Sequence, residues 1–270
     1  MTRDIDGAGL RRDVTIAVLQ MEPRPGDVAA NLAHIATAAR AAASFGATLL
    51  VAPEMAVTGY AIWDDIPRLA ETRDGAIVGG LSDLARRQGL TIVAGFPERD
   101  GAVVYNSAVA ALPDGATHLY RKCHLYSPHE TAAFKAGGDP SRLFEIGGLK
   151  AALLICYDVE FPELARALAL AGAELLLVPT ALPKGGTSAR VSRSMVPSRA
   201  LENRVFVAYA GLCGCENGLS YQGGSVIVGR DGEDLARAGI GSALLVSRLD
   251  TSIAGEPYLS DRRPDLYRLG

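Results

Sequence analysis

Cysteine is scarce in this chain: Cys123, Cys156, Cys213 and Cys215 are the only four in 270 residues. That is too few for a disulfide framework at this length, which removes the small stapled secreted class. Long hydrophobic runs are missing too. The apolar stretches break at proline, glycine or charge within about ten positions, short of the roughly 20 residues that span a bilayer. Neither sign of charge dominates, since 27 basic residues stand among 30 acidic ones for a net charge of -3. No basic footprint for nucleic acid results. The polar lead-in at residues 1–13 lacks the apolar core of a secretory signal. These absences predict a cytoplasmic protein with no membrane and no nucleic-acid partner.

Two apparent cofactor signals also fall short. Gly185-Gly186-Thr187 has neither the lysine nor the spacing of a phosphate loop. His124 and His129 lie near Cys123 and Glu130, but Ser127-Pro128 between them prevents a common helical face. A zinc site would need more His or Cys at ligand spacing. The expectation is therefore no metal and no cofactor. Cys213-Gly214-Cys215 lacks a second pair and reads as two ordinary thiols near a strand end.

What the chain does have is apolar content, 49% of its residues, enough for one large domain over 1–270. Hydrophobic periodicity predicts strands at 14–19, 48–52, 91–95, 107–112 and 118–120, with helices at 28–45 and 77–88. Asp27, after Pro25-Gly26, is the expected cap of the first helix. The second half reads as strands at 150–155, 174–178 and 205–210, helices at 162–171 and 188–203, and a final strand pair at 225–228 and 243–249 around Asp231-Gly232. The order βαβαββ thus occurs twice. Residues 46–53 match residues 172–179 at five of eight positions, consistent with two internally similar βα halves.

Under that alignment Glu54 and Cys156 both fall at carboxyl ends of strands, the edge where open α/β sheets build their sites. Taken singly, Glu54 reads as a solvated strand-end acid and Lys122 as a surface charge. With Cys156 they form a set, because a thiol that attacks an amide carbon needs a proton acceptor and a cation for the oxyanion.

Three separated segments carry that set: Pro53-Glu54-Met55 with Thr58-Gly59-Tyr60, Tyr120-Arg121-Lys122 with His124-Leu125, and Cys156-Tyr157-Asp158 with Phe161-Pro162-Glu163. In residue type and order they resemble the nitrilase superfamily of carbon-nitrogen hydrolases. The resemblance runs from about Val14 to the C-terminus and implies an α-β-β-α sandwich. It implies Glu54 as base, Lys122 as cation, Cys156 as nucleophile, and Glu130, in Pro128-His129-Glu130, as a second acid holding the lysine. It also implies that the Tyr157 amide stabilises the oxyanion and that Tyr60 and Thr180 neighbour the substrate.

Tyr-Asp after the cysteine is similar to the amidase and carbamoylase branches, whereas nitrilases usually show Trp-Glu. The segments Val178-Pro179-Thr180-Ala181 and Arg199-Ala200-Leu201-Glu202-Asn203 add a resemblance to aliphatic amidases. The implied reaction hydrolyses a small aliphatic, ω-amino or amino-acid-type carboxamide to acid and ammonia through a cysteine thioester. N-carbamoyl amine hydrolysis is the alternative, and nitrile hydrolysis a more distant one. Side-chain specificity is expected in the loops 61–69 and 182–187. Relatives pair through their helical layer, so a homodimer or higher homo-oligomer is implied, with the tail at 255–270 crossing to the partner.

Overall fold

The computed structural model describes residues 13–252 and 256–267; most of the lead-in lies outside them. The first half runs β1 (Asp13–Gln20), α1 (Val28–Ser44), β2 (Leu49–Val51), a single turn α2 (Ile66–Leu69), α3 (Ala76–Gln88), β3 (Thr91–Asp100), β4 (Val103–Ala111) and β5 (Thr117–Arg121). A short α4 (Pro128–Ala133) leads into β6 (Phe144–Ile146), β7 (Leu149–Leu153), α5 (Pro162–Leu170) and β8 (Leu175–Thr180). The chain continues through α6 (Ser188–Arg190), α7 (Val196–Asn203), β9 (Phe206–Gly211) and a small hairpin, β10 (Cys215–Glu216) with β11 (Leu219–Ser220). It closes with β12 (Val226–Val228), β13 (Asp234–Arg237) and β14 (Ala243–Asp250).

Two six-stranded sheets result, ordered β14-β1-β2-β3-β4-β5 and β13-β12-β9-β8-β7-β6. Each has three central parallel strands, β1-β2-β3 or β7-β8-β9, flanked by antiparallel neighbours. Side-chain alternation explains why the sheets stack. Ile16 and Val18 point with Leu153, Leu177 and Ala208 into a core between the sheets. Ala17 and Leu19 point the other way, into a layer shared with Ile35 of α1 and Leu81 of α3. Leu176, Val207 and Leu168 of α5 form the matching outer layer of the second half. This is the expected α-β-β-α sandwich with two similar halves.

Local chemistry accounts for most boundaries. Asp27 caps α1, its Oδ1 accepting from the Ala30 N–H at 3.0 Å, as expected of a short acceptor at that position. Gly89 closes α3 in the left-handed conformation at φ 66°.

Three expectations need correction. Strand β3 runs to Asp100 rather than ending at Gly95; β2 pairs only with residues 91–93 of it, so Pro97 sits where that side demands no N–H. The expected helix at 188–203 is broken by a π-turn, Val191–Met195, in which the Val196 N–H reaches back to the Val191 carbonyl. Pro197 follows, and its missing N–H removes an α-helical bond there.

The last strand is the third correction. Around Asp231-Gly232 the partner of β12 is β13, and β14 crosses to pair antiparallel with β1 in the first sheet. Apolar patterning in β14 suits either sheet. Fully buried Gln20 fixes the crossing: its Nε2 donates to the carbonyls of Gly239 (2.9 Å) and Gly241 (2.5 Å), and its Oε1 accepts from the Ser225 N–H at 2.8 Å.

Candidate active site

Glu54 and Cys156 each lie three residues beyond the end of a central parallel strand, β2 and β7 respectively. The first turn is made possible by Gly95. A Cβ there would stand 2.4 Å from the Met55 nitrogen and 2.6 Å from the Glu54 Cα, so β3 passes directly beneath the acid. Met55 takes φ 51° to complete the reversal. Cys156 itself adopts φ 48°, a left-handed conformation that is costly for a residue with a Cβ. It opens a 3-10 turn, Cys156–Glu160.

That turn is fastened on two sides. Asp158, fully buried, accepts from the Tyr120 hydroxyl (2.8 Å) and the Ile155 N–H (3.1 Å) on Oδ2, while its Oδ1 meets the His124 N–H (2.9 Å) and His124 Nδ1 (2.8 Å). The Cys156 turn is thereby tied to the segment that carries Lys122. From the helical side Arg199 of α7 donates to the carbonyls of Val159 and Glu160, each at 3.0 Å.

The charged cluster is wholly interior. Lys122 is 1% exposed, Glu54 and Glu130 are 0% exposed, and Cys156 is 5% exposed. Lys122 Nζ donates to Glu54 Oε1 at 2.8 Å and to Glu130 Oε1 at 2.7 Å. Glu54 Oε1 also accepts from Asn106 Nδ2 at 2.7 Å, and its Oε2 accepts from the Ala181 N–H at 2.7 Å. Glu130, in the first turn of α4, accepts from the Tyr60 hydroxyl on Oε1 and from the Tyr126 N–H on Oε2, both at 2.7 Å. Burial of three charges is tolerated only because each is paired and hydrogen-bonded.

These contacts set the protonation. Burial raises the Glu54 pKa, against the opposing pull of Lys122. Burial alone would lower the Lys122 ammonium, but Glu54 and Glu130 outweigh it, and its pKa is raised. The Cys156 thiol is pushed well above its ordinary value by burial first and by the Glu54 charge second, with Lys122 and the Ala181 N–H acting the other way. Lys122 is thus held as the cation of the cluster, and ionisation of the Cys156 thiol is disfavoured.

A cavity of about 460 Å³ adjoins this cluster through Tyr60 and Tyr126, which both bond Glu130; Trp63 and, from the β10–β11 hairpin, Asn217 and Leu219 also line it, while Glu54, Lys122, Glu130 and Cys156 do not. Tyr60 thus reaches both Glu130 and the cavity. Tyr157, in the Cys156 turn, meets Tyr126 edge to face at 5.3 Å. Thr180 stands apart from that lining: it is fully buried and its hydroxyl donates to the Val178 carbonyl at 3.2 Å. Among the described residues no group of three His, Cys, Asp or Glu is placed to hold a metal ion, and all four cysteines are free.

Several contributors escaped sequence reading. Asn106, Gly95 and the Ala181 amide carry no local signal. Asp158 was legible only as a neighbour of Cys156. Glu216, whose Oε2 accepts from the N–H groups of Tyr60 and Ala61 at 2.9 Å, had none either. Asn217-Gly218, by contrast, is a strong hairpin dipeptide; both take positive φ, 46° and 84°.

Two face-to-face sheets with a thiol, a lysine and two glutamates gathered at their strand ends define a hydrolase of the nitrilase superfamily. The chain matches the carbon-nitrogen hydrolase family over residues 15–256 and belongs to it, in an amidase-like branch. It is 43% identical over 268 residues to a Pseudomonas protegens protein described as a hydrolase in the pqqF 5' region, covering 95% of this chain and 91% of that one. It is 34% identical over 256 residues to an (R)-stereoselective amidase of a Pseudomonas species, covering 92% and 91%. Among solved structures, a double mutant of the amidase from Nesterenkonia sp. AN1 in complex with acrylamide superposes with a TM-score of 0.88 at 37% identity, covering 98% of this chain and 99% of that one.

Proposed function

We propose that the protein hydrolyses the C–N bond of a small linear carboxamide, giving a carboxylate and ammonia, with Cys156 as nucleophile. The observation that carries this reading is the buried Lys122 ammonium held between Glu54 and Glu130, with the Ala181 N–H donating to Glu54 Oε2.

In this mechanism Glu54 accepts the thiol proton as Sγ attacks the amide carbon. Negative charge then moves to the carbonyl oxygen, where the Lys122 ammonium and the Tyr157 N–H stabilise it. One such preorganised donor in a site shielded from water lowers the barrier by roughly 3 to 4 kcal/mol. When the tetrahedral species collapses, the C–N bond breaks and Glu54 hands its proton to the departing nitrogen. Ammonia leaves and a thioester remains on Cys156. Water, deprotonated by the same carboxylate, attacks that thioester; the C–S bond breaks and the sulfur recovers its proton from Glu54. Glu130 holds Lys122 throughout and sets the position of the cation.

Replacing Cys156 with Ala is expected to abolish ammonia release from an amide panel while circular dichroism stays unchanged. Mass spectrometry of the wild-type protein with substrate is expected to trap an acyl adduct on Cys156. Turnover retained by C156A sinks the mechanism; carbon dioxide released alongside ammonia from N-carbamoyl amines, with amides inert, moves the assignment to carbamoyl hydrolysis.

A cytoplasmic homodimer completes the proposal. No helix among the described residues is long and apolar enough to cross a membrane, and the free thiols fit a reducing compartment. Leu170 of α5 is 53% exposed, and Arg262 and Tyr267 of the tail share a cleft with it. This apolar, partly covered helix face is the expected pairing surface. Light scattering on the full chain and on a form ending at Gly255 tests it, a monomeric full chain being the contrary result.

A further inference from the structure

The cavity joined to Glu130 through Tyr60 and Tyr126 differs in character from the charged cluster. Four of its lining side chains are Tyr60, Trp63, Tyr126 and His129, and across from them stand Asn217 and Leu219. Trp63 and His129 stack with centroids 5.4 Å apart and planes 15° from parallel. Tyr60 meets Trp63 edge to face at 5.0 Å. The result is a firm aromatic wall, with rings locked by one another as well as by the backbone.

Its lining includes no lysine, arginine, aspartate or glutamate. The charges nearest by contact are committed or turned away. Lys122 is shared by Glu54 and Glu130; Glu130 is further occupied by Tyr60 and Tyr126; Glu216 gives Oε2 to the N–H groups of Tyr60 and Ala61 and to the Tyr221 hydroxyl, while its Oε1, which accepts no hydrogen bond, lies against Gly59 and outside the lining. In the lining a substrate bearing a second carboxylate would leave water without meeting a cation, and one bearing an ammonium would meet no carboxylate. Either desolvation is unfavourable without a partner.

Resting on the amidase reading, we infer that this pocket selects uncharged carboxamides with an apolar or aryl acyl group, and discriminates against amides that carry a second charge of either sign. The cavity volume of about 460 Å³ lies within the ordinary range for small-molecule sites. The flat Trp63–His129 pair matches a planar acyl group, which gains from offset or edge contacts with aromatic rings.

The test compares kcat/KM for ammonia release from benzamide and hexanamide, both neutral, with succinamate, which is anionic, and 4-aminobutanamide, which is cationic. The neutral pair is expected to exceed each charged amide by roughly 100-fold, the order of discrimination an unpaired buried charge imposes. Trp63→Ala is expected to lower kcat/KM for benzamide about 10-fold more than for acetamide, mainly through KM, with Trp63→Phe restoring most of the difference. Leu219→Arg supplies the missing cation and is expected to raise the succinamate-to-hexanamide ratio about 10-fold.

Equal or better turnover of succinamate or 4-aminobutanamide overturns this inference and leaves the amidase reading intact. A benzamide-to-acetamide ratio unmoved by Trp63→Ala, in a protein whose melting temperature shows it folded, overturns the role of the stacked wall. Failure to hydrolyse any amide, by a protein whose Cys156 also forms no acyl adduct, overturns both readings together.

Discussion

The two halves of the sandwich share a scaffold and differ in what they do with it. Strand registers put Val18 beside Val51 in one sheet and Leu153 beside Leu177 in the other. Counting on from those pairs, Cys156 corresponds to Met21, Glu54 to Thr180, and Gly95 to Ala210. Only one member of each pair enters the cluster as an acid, a thiol or the glycine that makes room for them. In the second half β8 continues straight through Thr180, which pairs with Gly211. In the first, β2 ends at Val51 and the chain turns back at Glu54-Met55. The same strand end thus gives a structural threonine where the strand persists and a buried acid where it stops. The halves then complete each other, since the Ala181 N–H that follows Thr180 donates to Glu54.

Removing the acid itself breaks this asymmetry most completely. Glu54→Gln keeps the shape and loses the proton acceptor, and is expected to lower kcat by about 10³-fold or more, the scale of a general base acting at two steps. The pH profile sharpens the assignment. In the proposed mechanism Glu54 acts as the anion, and burial raises its pKa above the ordinary value of 4.5, so kcat/KM should rise with pH through a midpoint above 4.5 and fall away below it. Because the thiol is raised well above 9.0, no second rise from free thiolate is expected at neutral pH. Residual activity in Glu54→Gln should lack the acid limb. An unchanged limb would assign it to another group.

Gly95→Ala imports the residue of the second half into the first. Its Cβ cannot fit beside the backbone of Glu54 and Met55, so the turn must move. A displacement near 1 Å in a catalytic group is expected to lower kcat about 10²-fold, and stability should fall by about 1 to 3 kcal/mol through overpacking. Steady-state kinetics with a urea titration check both. Wild-type kcat would mean that the turn at Glu54 has slack.

Asp158→Asn probes the other turn, whose chemistry has no counterpart at Met21. The carboxylate accepts at four positions, and an amide there turns one acceptor into a donor facing a donor. A loss of about 1 to 3 kcal/mol in stability is expected, with a fall in kcat of about 10-fold as the Cys156 turn loosens. Unfolding curves and ammonia assays on the purified variant measure the two effects.

How much of this was legible follows the same division. The repeated strand and helix pattern was readable because hydrophobic alternation is local, and it matched the segment of β2 with that of β8 as equivalents in the two halves. Lys122, Glu54, Glu130 and Cys156 stood out because their residue types, order and flanking motifs occur as a set. Asn106 and Glu216 were invisible for the opposite reason: a single polar residue in a strand looks the same whether it faces solvent or a buried carboxylate. Gly95 looked like a strand end, because the close approach that demands it comes from another strand. The exchange of β14 between sheets was equally hidden, since its apolar pattern fits either edge and the choice rests on Gln20 more than 200 residues away in sequence.

The gentlest test is the converse exchange. Ala210→Gly gives the second half the glycine of the first, at a place where Pro179 and Thr180 run extended and no turn needs the space. Nothing is relieved by losing the methyl group. The buried Ala210 side chain packs between the sheets, and glycine in a strand interior adds backbone freedom to the unfolded chain at about 0.5 to 1 kcal/mol. For a domain of this size that corresponds to a drop in Tm of roughly 1 to 3 °C. kcat should stay within about twofold of wild type, since Glu54 and Cys156 keep their turns. A large loss of activity from Ala210→Gly, matching that from Gly95→Ala, would mean that both strands support the acid equally and that the asymmetry between the halves lies elsewhere.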